Sequence, residues 1–150
     1  MSRVQLALNV TDVDAAVEFY SKLFGAEPAK RRAGYANFAI EEPALKLVLI
    51  ESEQGGSLNH LGVEVASTKE VGKATTRLRS EGLVTAEEEG VECCYAVQDK
   101  VWVSDPDGAP WEVYSVLGDS ALMSASSDGC CGSEAKAAAE PGTLQIDACC

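Results

Sequence analysis

The chain is poor in basic residues, and it has no long apolar run. Its 150 residues include 12 lysines and arginines against 24 aspartates and glutamates, which gives a net charge of −12. This excess of negative charge repels phosphate backbones and anionic membranes, so nucleic acid is not an expected partner. No segment reaches the roughly 18 apolar residues of a membrane span, and the start has no signal-peptide pattern. We therefore expect a cytoplasmic protein without a membrane partner.

Histidine occurs only once, which excludes a metal site built from two histidines of the same chain. Cysteine is more frequent, and all six cysteines come as adjacent pairs, namely Cys93–Cys94, Cys130–Cys131 and Cys149–Cys150. Adjacent cysteines rarely bridge to each other because the ring is strained, and a reducing cytosol argues against a disulfide framework. Thiolate chemistry is therefore their expected use.

The first half of the chain predicts a strand, a helix and two further strands. Apolar residues alternate in the strands, and they recur at helical spacing in the helix, behind a polar cap. The predicted elements are a strand at Val4–Val10, a helix capped by Thr11 or Asp12 that ends at Gly25, and strands at Tyr35–Ile40 and Leu45–Glu51. A Gly-Gly-Ser break at residues 55–57 follows.

After the break the pattern repeats. Aligning Gln5 with His60 places LALNVTDVDAAV over LGVEVASTKEVG without a gap, and the cap Asp12 falls on Ser67. This is an internal repeat, so the second half predicts the same order of elements. These are a helix at Thr68–Ser80 ending at Gly82, and strands at Leu83–Ala86, Lys100–Ser104 and Trp111–Val116, with a turn at Asp105–Gly108. We expect an α+β domain over residues 1–117, built from βαβββ modules at 1–54 and 57–117.

From Gly118 the composition changes to alanine, serine, glycine and aspartate, with little hydrophobic periodicity. This composition predicts a disordered tail over residues 118–150, which carries two of the cysteine pairs.

Gln5 and His60 occupy equivalent places in the two repeats, each at the start of the polar face of a strand. We expect both to point into one cleft, where Glu112, on the opposite side from the packed Val113, joins them. An amide oxygen, an imidazole and a carboxylate suit Fe²⁺, Mn²⁺, Ni²⁺ or Zn²⁺, and the weak amide donor predicts modest metal affinity. The alternative is a structural histidine with solvated Gln5 and Glu112.

Three further side chains are candidates for the same cleft. Glu51 ends the corresponding strand of the first half and is a candidate fourth ligand, although it shares a face with leucines, which favours an exposed strand-end carboxylate. Trp102 and Tyr114 alternate with apolar neighbours and either line an apolar pocket or contribute ordinary packing.

Cys93 and Cys94 can bind one atom only if the backbone there is a loop, because neighbouring side chains in a strand point to opposite faces. The preceding Gly90 and the acidic run Glu87–Glu89 favour a loop. Such a pair suits a soft centre such as trivalent arsenic, Cd²⁺ or Hg²⁺. The alternative is one buried and one exposed thiol without a role.

With the doubled βαβββ frame and the segments DVDAAVEFYSKLFG, NHLGVEV and SDPDGAPWEVY, the chain resembles the vicinal oxygen chelate superfamily over about residues 3–117. This superfamily comprises glyoxalases, ring-cleaving dioxygenases and antibiotic-resistance proteins. With ECCYA and the cysteine-ending tail, the chain is most similar to the carbon–arsenic lyases, which are non-haem Fe²⁺ dioxygenases acting on trivalent organoarsenicals. Cadmium-induced proteins are close kin. The resemblance implies an open barrel-like sheet around a metal cleft.

The resemblance also implies a reaction, in which Gln5, His60 and Glu112 bind Fe²⁺ and Cys93 with Cys94 hold the organoarsenical. Dioxygen is the implied co-substrate, and release of inorganic arsenite implies arsenic detoxification. Gln5 stands where ring-cleaving relatives usually have a histidine, which leaves the metal open, since glutamine also suits glyoxalase-like Zn²⁺ or Ni²⁺ sites. The tail cysteines Cys130, Cys131, Cys149 and Cys150 are expected to collect arsenicals or arsenite.

Three other functions stay open. A glyoxalase-type isomerase would use Zn²⁺ or Ni²⁺ on Gln5, Glu51, His60 and Glu112 and would need no cysteines. A cadmium or arsenic sequestering protein would bind through its thiols without catalysis. A module that sequesters an antibiotic would explain the fold but not the cysteine pairs. The sequence also leaves open whether the modules pair within one chain or across a homodimer.

Overall fold

The computed structural model describes residues 2–123. Its elements follow the order βαβββ twice, which confirms the predicted α+β class. They are β1 (Arg3–Val10), α1 (Val13–Phe24), β2 (Lys30–Arg32), β3 (Tyr35–Ile40), β4 (Leu45–Glu51), β5 (Ser57–Glu64), α2 (Thr68–Ser80), β6 (Ala86–Cys93), β7 (Ala96–Ser104) and β8 (Pro110–Asp119). By contacts the chain divides into two compact units, one ending at Glu64 and the other beginning at Val65.

The first unit is a five-stranded sheet with α1 packed on one face. The strand order is β2-β3-β4-β1-β5, with β1 parallel to β4 and antiparallel to β5. Helix α1 buries Val13 and Val17 against Phe38, Leu47 and Leu49, and the alternate residues of β1 join this core. Since side chains alternate along a strand, Gln5 and Ala7 lie on the sheet face opposite to α1.

The second unit contains α2 and the antiparallel strands β6, β7 and β8, in which β7 pairs with both neighbours. Val71 and Leu78 of α2 pack against the buried Val101 of β7. The residues on either side of Val101, Lys100 and Trp102, are therefore on the sheet face that α2 leaves uncovered.

The two helices begin differently although the repeat aligns their caps. The Asp12 carboxylate accepts hydrogen bonds of 2.9 Å from the backbone N–H groups of Asp14 and Ala15. Ser67, at the same place before α2, makes no side-chain capping hydrogen bond. The N-terminus of α1 is therefore capped by the side chain of Asp12, whereas the side chain of Ser67 does not cap α2.

The strand predicted at Leu83–Ala86 is wrong in position, since β6 starts at Ala86 and runs through the acidic segment to Cys93. Glutamates disfavour a central strand, but β6 pairs with β7 and lies at the end of the strand order, where charged side chains face water at little cost. The register shifts between Glu88 and Val91, where Gly90 has φ 59°. The expected loop at Gly90 is therefore a bulge in a strand.

Among residues 2–123, no helix is long and apolar enough to cross a membrane.

Candidate active site

Gln5 and His60 meet on the uncovered face of the first unit. Their Nε2 atoms are 3.0 Å apart, and both side chains are buried. His60 lies opposite Ala7 on the neighbouring strand, where the register shifts between Ala7 and Leu8. An amide nitrogen can only donate, so the imidazole accepts at Nε2 and carries its proton on Nδ1.

Asn59 fixes the other side of the imidazole. Nδ1 of His60 lies 2.6 Å from Oδ1 of Asn59, whose amide nitrogen donates to Oδ1 of Asn9 at 2.9 Å. Asn9 in turn donates to the hydroxyl of Ser57. This chain of hydrogen bonds holds one tautomer of His60 and directs its Nε2 lone pair towards Gln5.

The second unit buries a charged pair on its uncovered face. Nζ of Lys100 lies 2.9 Å from Oε2 of Glu112, and the two side chains are 1% and 2% exposed. Trp102 lies opposite Glu112, and Tyr114 lies opposite Lys100, across the β7–β8 pair. The lysine ammonium is also 5.2 Å from the centre of the Trp102 ring. Glu112 is therefore a buried carboxylate with a cation at its oxygen.

Cys93 and Cys94 lie at the end of the β6–β7 hairpin. Cys93 is the last residue of β6 and pairs with Ala96, so Cys94 and Tyr95 form a two-residue turn. Both turn residues have positive φ, 53° for Cys94 and 59° for Tyr95, as in a type I′ turn. The prediction of a loop is thus wrong for Cys93 and correct for Cys94.

The turn brings the two sulfur atoms to 3.4 Å from each other. Bonds of roughly 2.3 Å from one soft atom to two sulfurs, as for zinc, can bridge sulfurs up to about 4.6 Å apart. Cys93 is disulfide-bonded, and its partner is not Cys94. A chelating pair therefore requires reduction of Cys93.

Gln98 supports Cys93 from the neighbouring strand. Its Nε2 donates to the Cys93 carbonyl at 3.2 Å, and the side chain is buried. Its Oε1 has no hydrogen-bond partner within the described part of the chain. This leaves one buried acceptor close to Cys93 for a donor that these residues do not supply.

Glu51 does not lie with Gln5. Gln5 is opposite Lys46 in the β1–β4 register, whereas Glu51 is on the face that packs against α1. Its carboxylate accepts a hydrogen bond of 3.1 Å from the backbone N–H of Val13 at the start of α1. This placement contradicts its assignment as a fourth ligand, because odd and even residues of β4 face opposite sides.

The structure thus brings Gln5 together with His60, Cys93 with Cys94, and Glu112 with Trp102. The tail cysteines Cys130, Cys131, Cys149 and Cys150 lie outside the described residues. The sequence interpretation gave no role to Asn59 or Lys100. The available signal for Lys100 was that it is a charged residue on the same strand face as Trp102. The signal for Asn59 was that it is a polar neighbour of the only histidine.

Within residues 2–123, no three histidine, cysteine, aspartate or glutamate side chains cluster at metal-binding spacing. A ligand set that contains the amide of Gln5 is not a cluster of that kind.

A sequence profile of the Glyoxalase/Bleomycin resistance protein/Dioxygenase superfamily matches residues 3–113. The chain is 59% identical over 133 residues to a trivalent organoarsenical cleaving enzyme of Thermomonospora curvata, covering 87% of this chain and 88% of that protein. It is 64% identical over 121 residues to the cadmium-induced protein CadI of Mycobacterium bovis, with 80% of each covered. Its fold is similar to that of a Mn(II)-bound glyoxalase from Novosphingobium aromaticivorans, with a TM-score of 0.58, 22% identity, and coverage of 85% of this chain and 44% of the other.

Proposed function

Because the chain belongs to the Glyoxalase/Bleomycin resistance protein/Dioxygenase superfamily, we propose that it is an Fe²⁺-dependent dioxygenase that cleaves the carbon–arsenic bond of trivalent organoarsenicals. The observation that carries this proposal is the sulfur pair of Cys93 and Cys94, 3.4 Å apart at the end of the β6–β7 hairpin. A relative of 59% identity that is named for organoarsenical cleavage supports the substrate class.

The proposed metal ligands are Gln5, His60 and Glu112. An imidazole whose Nδ1–H is fixed by a hydrogen bond offers its Nε2 to a metal, as His60 does beside Asn59. The amide nitrogen of Gln5 lies beside Nε2 of His60. Rotation of this amide by half a turn would place its oxygen there instead. With the carboxylate of Glu112, the donor types fit a divalent first-row metal.

Bound Fe²⁺ would supply the activation of dioxygen. The protein's own contribution is to hold the arsenical, since two thiols of the reduced chain replace the two hydroxyls of R–As(OH)₂ and release two waters. Fixing arsenic through both sulfurs turns a bimolecular encounter into a positioned one. A trivalent arsenic centre is required, because pentavalent arsenic lacks this affinity for free thiols.

The atoms of the proposed reaction balance without an added reductant. For a methyl substituent, CH₃As(OH)₂ and O₂ give As(OH)₃ and formaldehyde. The C–As bond, one C–H bond and the O–O bond break. One oxygen atom goes to arsenic as a hydroxyl that carries the hydrogen lost from carbon, the other forms the C=O bond, and the carbon is oxidised by four electrons while O₂ is reduced by four. Arsenite and the carbonyl product are therefore expected in equal amounts.

The test is aerobic incubation of the reduced, Fe²⁺-loaded protein with methylarsenite, followed by arsenic speciation and formaldehyde assay. We expect arsenite from the parent protein, and a loss of at least about a hundredfold in Cys93→Ser and Cys94→Ser, since one thiol cannot chelate. The double substitution Cys130→Ser and Cys131→Ser is the matched control and should leave turnover intact. Full turnover without both Cys93 and Cys94 would contradict the proposal.

A second candidate is sequestration of cadmium or arsenite without catalysis. The 64% identity to a cadmium-induced protein and the same 3.4 Å thiol pair favour it. In the same assay, tight arsenical binding with no arsenite under oxygen, and no effect of His60→Ala on binding, would favour sequestration.

A further inference from the structure

The turn that carries the thiols has an unfavourable sequence for its conformation. A two-residue hairpin turn with positive φ at both positions prefers Asn-Gly or similar pairs, because a side chain with a Cβ clashes in the left-handed region. Here the two positions are Cys94 and Tyr95, at φ 53° and 59°. Residues in such conformations persist only where the surroundings hold them.

The surroundings are supplied by the chain just after β8. The N–H of Cys94 donates to the Met123 carbonyl at 2.7 Å, and the N–H of Tyr95 donates to the Leu122 carbonyl at 3.0 Å. In return, the Tyr95 carbonyl accepts from the N–H of Ser120 at 3.0 Å. Three backbone groups of the turn are therefore satisfied by a segment some 25 residues away in the sequence.

The segment has its own local shape. The Ser120 hydroxyl accepts a hydrogen bond of 3.0 Å from the N–H of Leu122, which bends the chain so that successive carbonyls face the turn. Gln98 holds the Cys93 carbonyl from the other side at 3.2 Å. The backbone around both thiols is therefore fixed by residues outside the hairpin turn.

We propose that Ser120–Met123 is a positioning segment for the thiol pair: it holds Cys94–Tyr95 in the left-handed conformation that keeps the two sulfur atoms within reach of one arsenic atom. Without it, Cys94 relaxes to negative φ and its sulfur moves away from that of Cys93. This inference rests on the proposed role of the two thiols in binding the arsenical.

The experiment measures the affinity of the full-length, reduced protein for phenylarsine oxide, in a background with the four tail cysteines replaced by serine. Ser120→Pro removes the N–H that donates to Tyr95, and we expect affinity to fall about tenfold, as for the loss of one or two backbone hydrogen bonds. Ser120→Thr keeps both that N–H and the hydroxyl that accepts from Leu122, and it is the matched control, with an expected change below about threefold. Tyr95→Gly, which removes the steric cost at the second turn position, should restore most of the affinity lost in Ser120→Pro.

Equal affinity of Ser120→Pro and its parent would overturn the inference, as would a loss that Tyr95→Gly does not reverse. Amide hydrogen exchange in the unsubstituted protein gives a second test that needs no folded variant. We expect the backbone amides of Cys94 and Tyr95 to be protected from exchange. Exchange at the rate of a free hairpin turn would also overturn the inference. If the parent protein itself binds no phenylarsine oxide, that result contradicts the proposed function. It does not contradict the positioning role, which hydrogen exchange then tests.

Discussion

The two units bury different kinds of polar pair. The first unit buries the neutral pair Gln5 and His60 at 3.0 Å, and the second buries the charged pair Lys100 and Glu112 at 2.9 Å. Burial of a neutral hydrogen-bonded pair loses little hydration free energy. Burial of two charges loses much more, and only the contact between the two charges offsets that loss. Removing one partner should therefore have very different consequences in the two units.

The largest effect is expected for Lys100→Met, which leaves the buried Glu112 carboxylate without its ammonium partner. We predict a loss of about 3–5 kcal/mol in the free energy of unfolding, measured by urea denaturation at neutral pH. Replacing both residues, as in Lys100→Met with Glu112→Leu, should cost less than the sum of the single changes. A loss below about 1 kcal/mol for Lys100→Met, as for a surface ion pair, would contradict the burial of the charged pair.

A smaller effect is expected at the neutral pair. Asn59→Leu removes the acceptor for His60 Nδ1–H, and the expected cost is about 1–2 kcal/mol of stability. At the proposed metal site the affinity for Fe²⁺ should fall about ten- to hundredfold. Because the chain has one histidine, its imidazole ¹⁵N signals report the tautomer without ambiguity. We expect Nδ1 protonation in the parent and a tautomer mixture in Asn59→Leu, with Asn59→Asp as the control that keeps an acceptor. A mixture already present in the parent would contradict the positioning role of Asn59.

The helix caps extend the comparison to Asp12 and Ser67, which occupy equivalent places in the repeat. Asp12→Ala should destabilise the protein by about 1 kcal/mol, because two backbone N–H groups lose their acceptor. Ser67→Ala should cost less than about 0.3 kcal/mol, since its side chain makes no capping hydrogen bond. Thermal unfolding of the two variants measures the difference, and equal losses would contradict the assigned caps.

The smallest effect is expected at the exposed pair Glu18 and Lys22, which is the surface counterpart of the buried ion pair. The hydrogen bond from Lys22, and then its charge, hold the pKa of Glu18 below its usual value. A carboxyl group with a lowered pKa stabilises the folded state at pH values above its ordinary, unfolded-state pKa. This contribution is lost as the pH falls through the pKa of the folded state. Because the side chain is fully exposed, Lys22→Met should raise the Glu18 pKa in an NMR titration without a detectable change in unfolding at neutral pH. A clear loss of stability there would contradict this.

The repeat made most of the fold predictable from the sequence. The bounds of β3, β4 and α2 agree with the predicted Tyr35–Ile40, Leu45–Glu51 and Thr68–Ser80, because hydrophobic alternation and caps are local signals. β6 was misplaced because its run of glutamates reads as a loop, and only its position at the end of the strand order makes it a strand.

The candidate site was less predictable than the fold. The meeting of Gln5 with His60 followed from their equivalent positions, but the register that places Lys46 and not Glu51 beside Gln5 depends on strand pairing. The contact of Ser120–Met123 with the cysteine turn joins distant parts of the chain through backbone groups, which carry no sequence signal. Lys100 was overlooked because a lysine in a strand is ordinarily exposed.

The central claim is that Cys93 and Cys94 together bind trivalent arsenic. Arsenic X-ray absorption of the reduced protein with one equivalent of methylarsenite, in the background lacking the four tail cysteines, counts the sulfur neighbours of arsenic directly. The account predicts two sulfur neighbours and one carbon, falling to one sulfur in Cys94→Ser. A single sulfur neighbour before that substitution, or two sulfurs that persist after it, would contradict the claim.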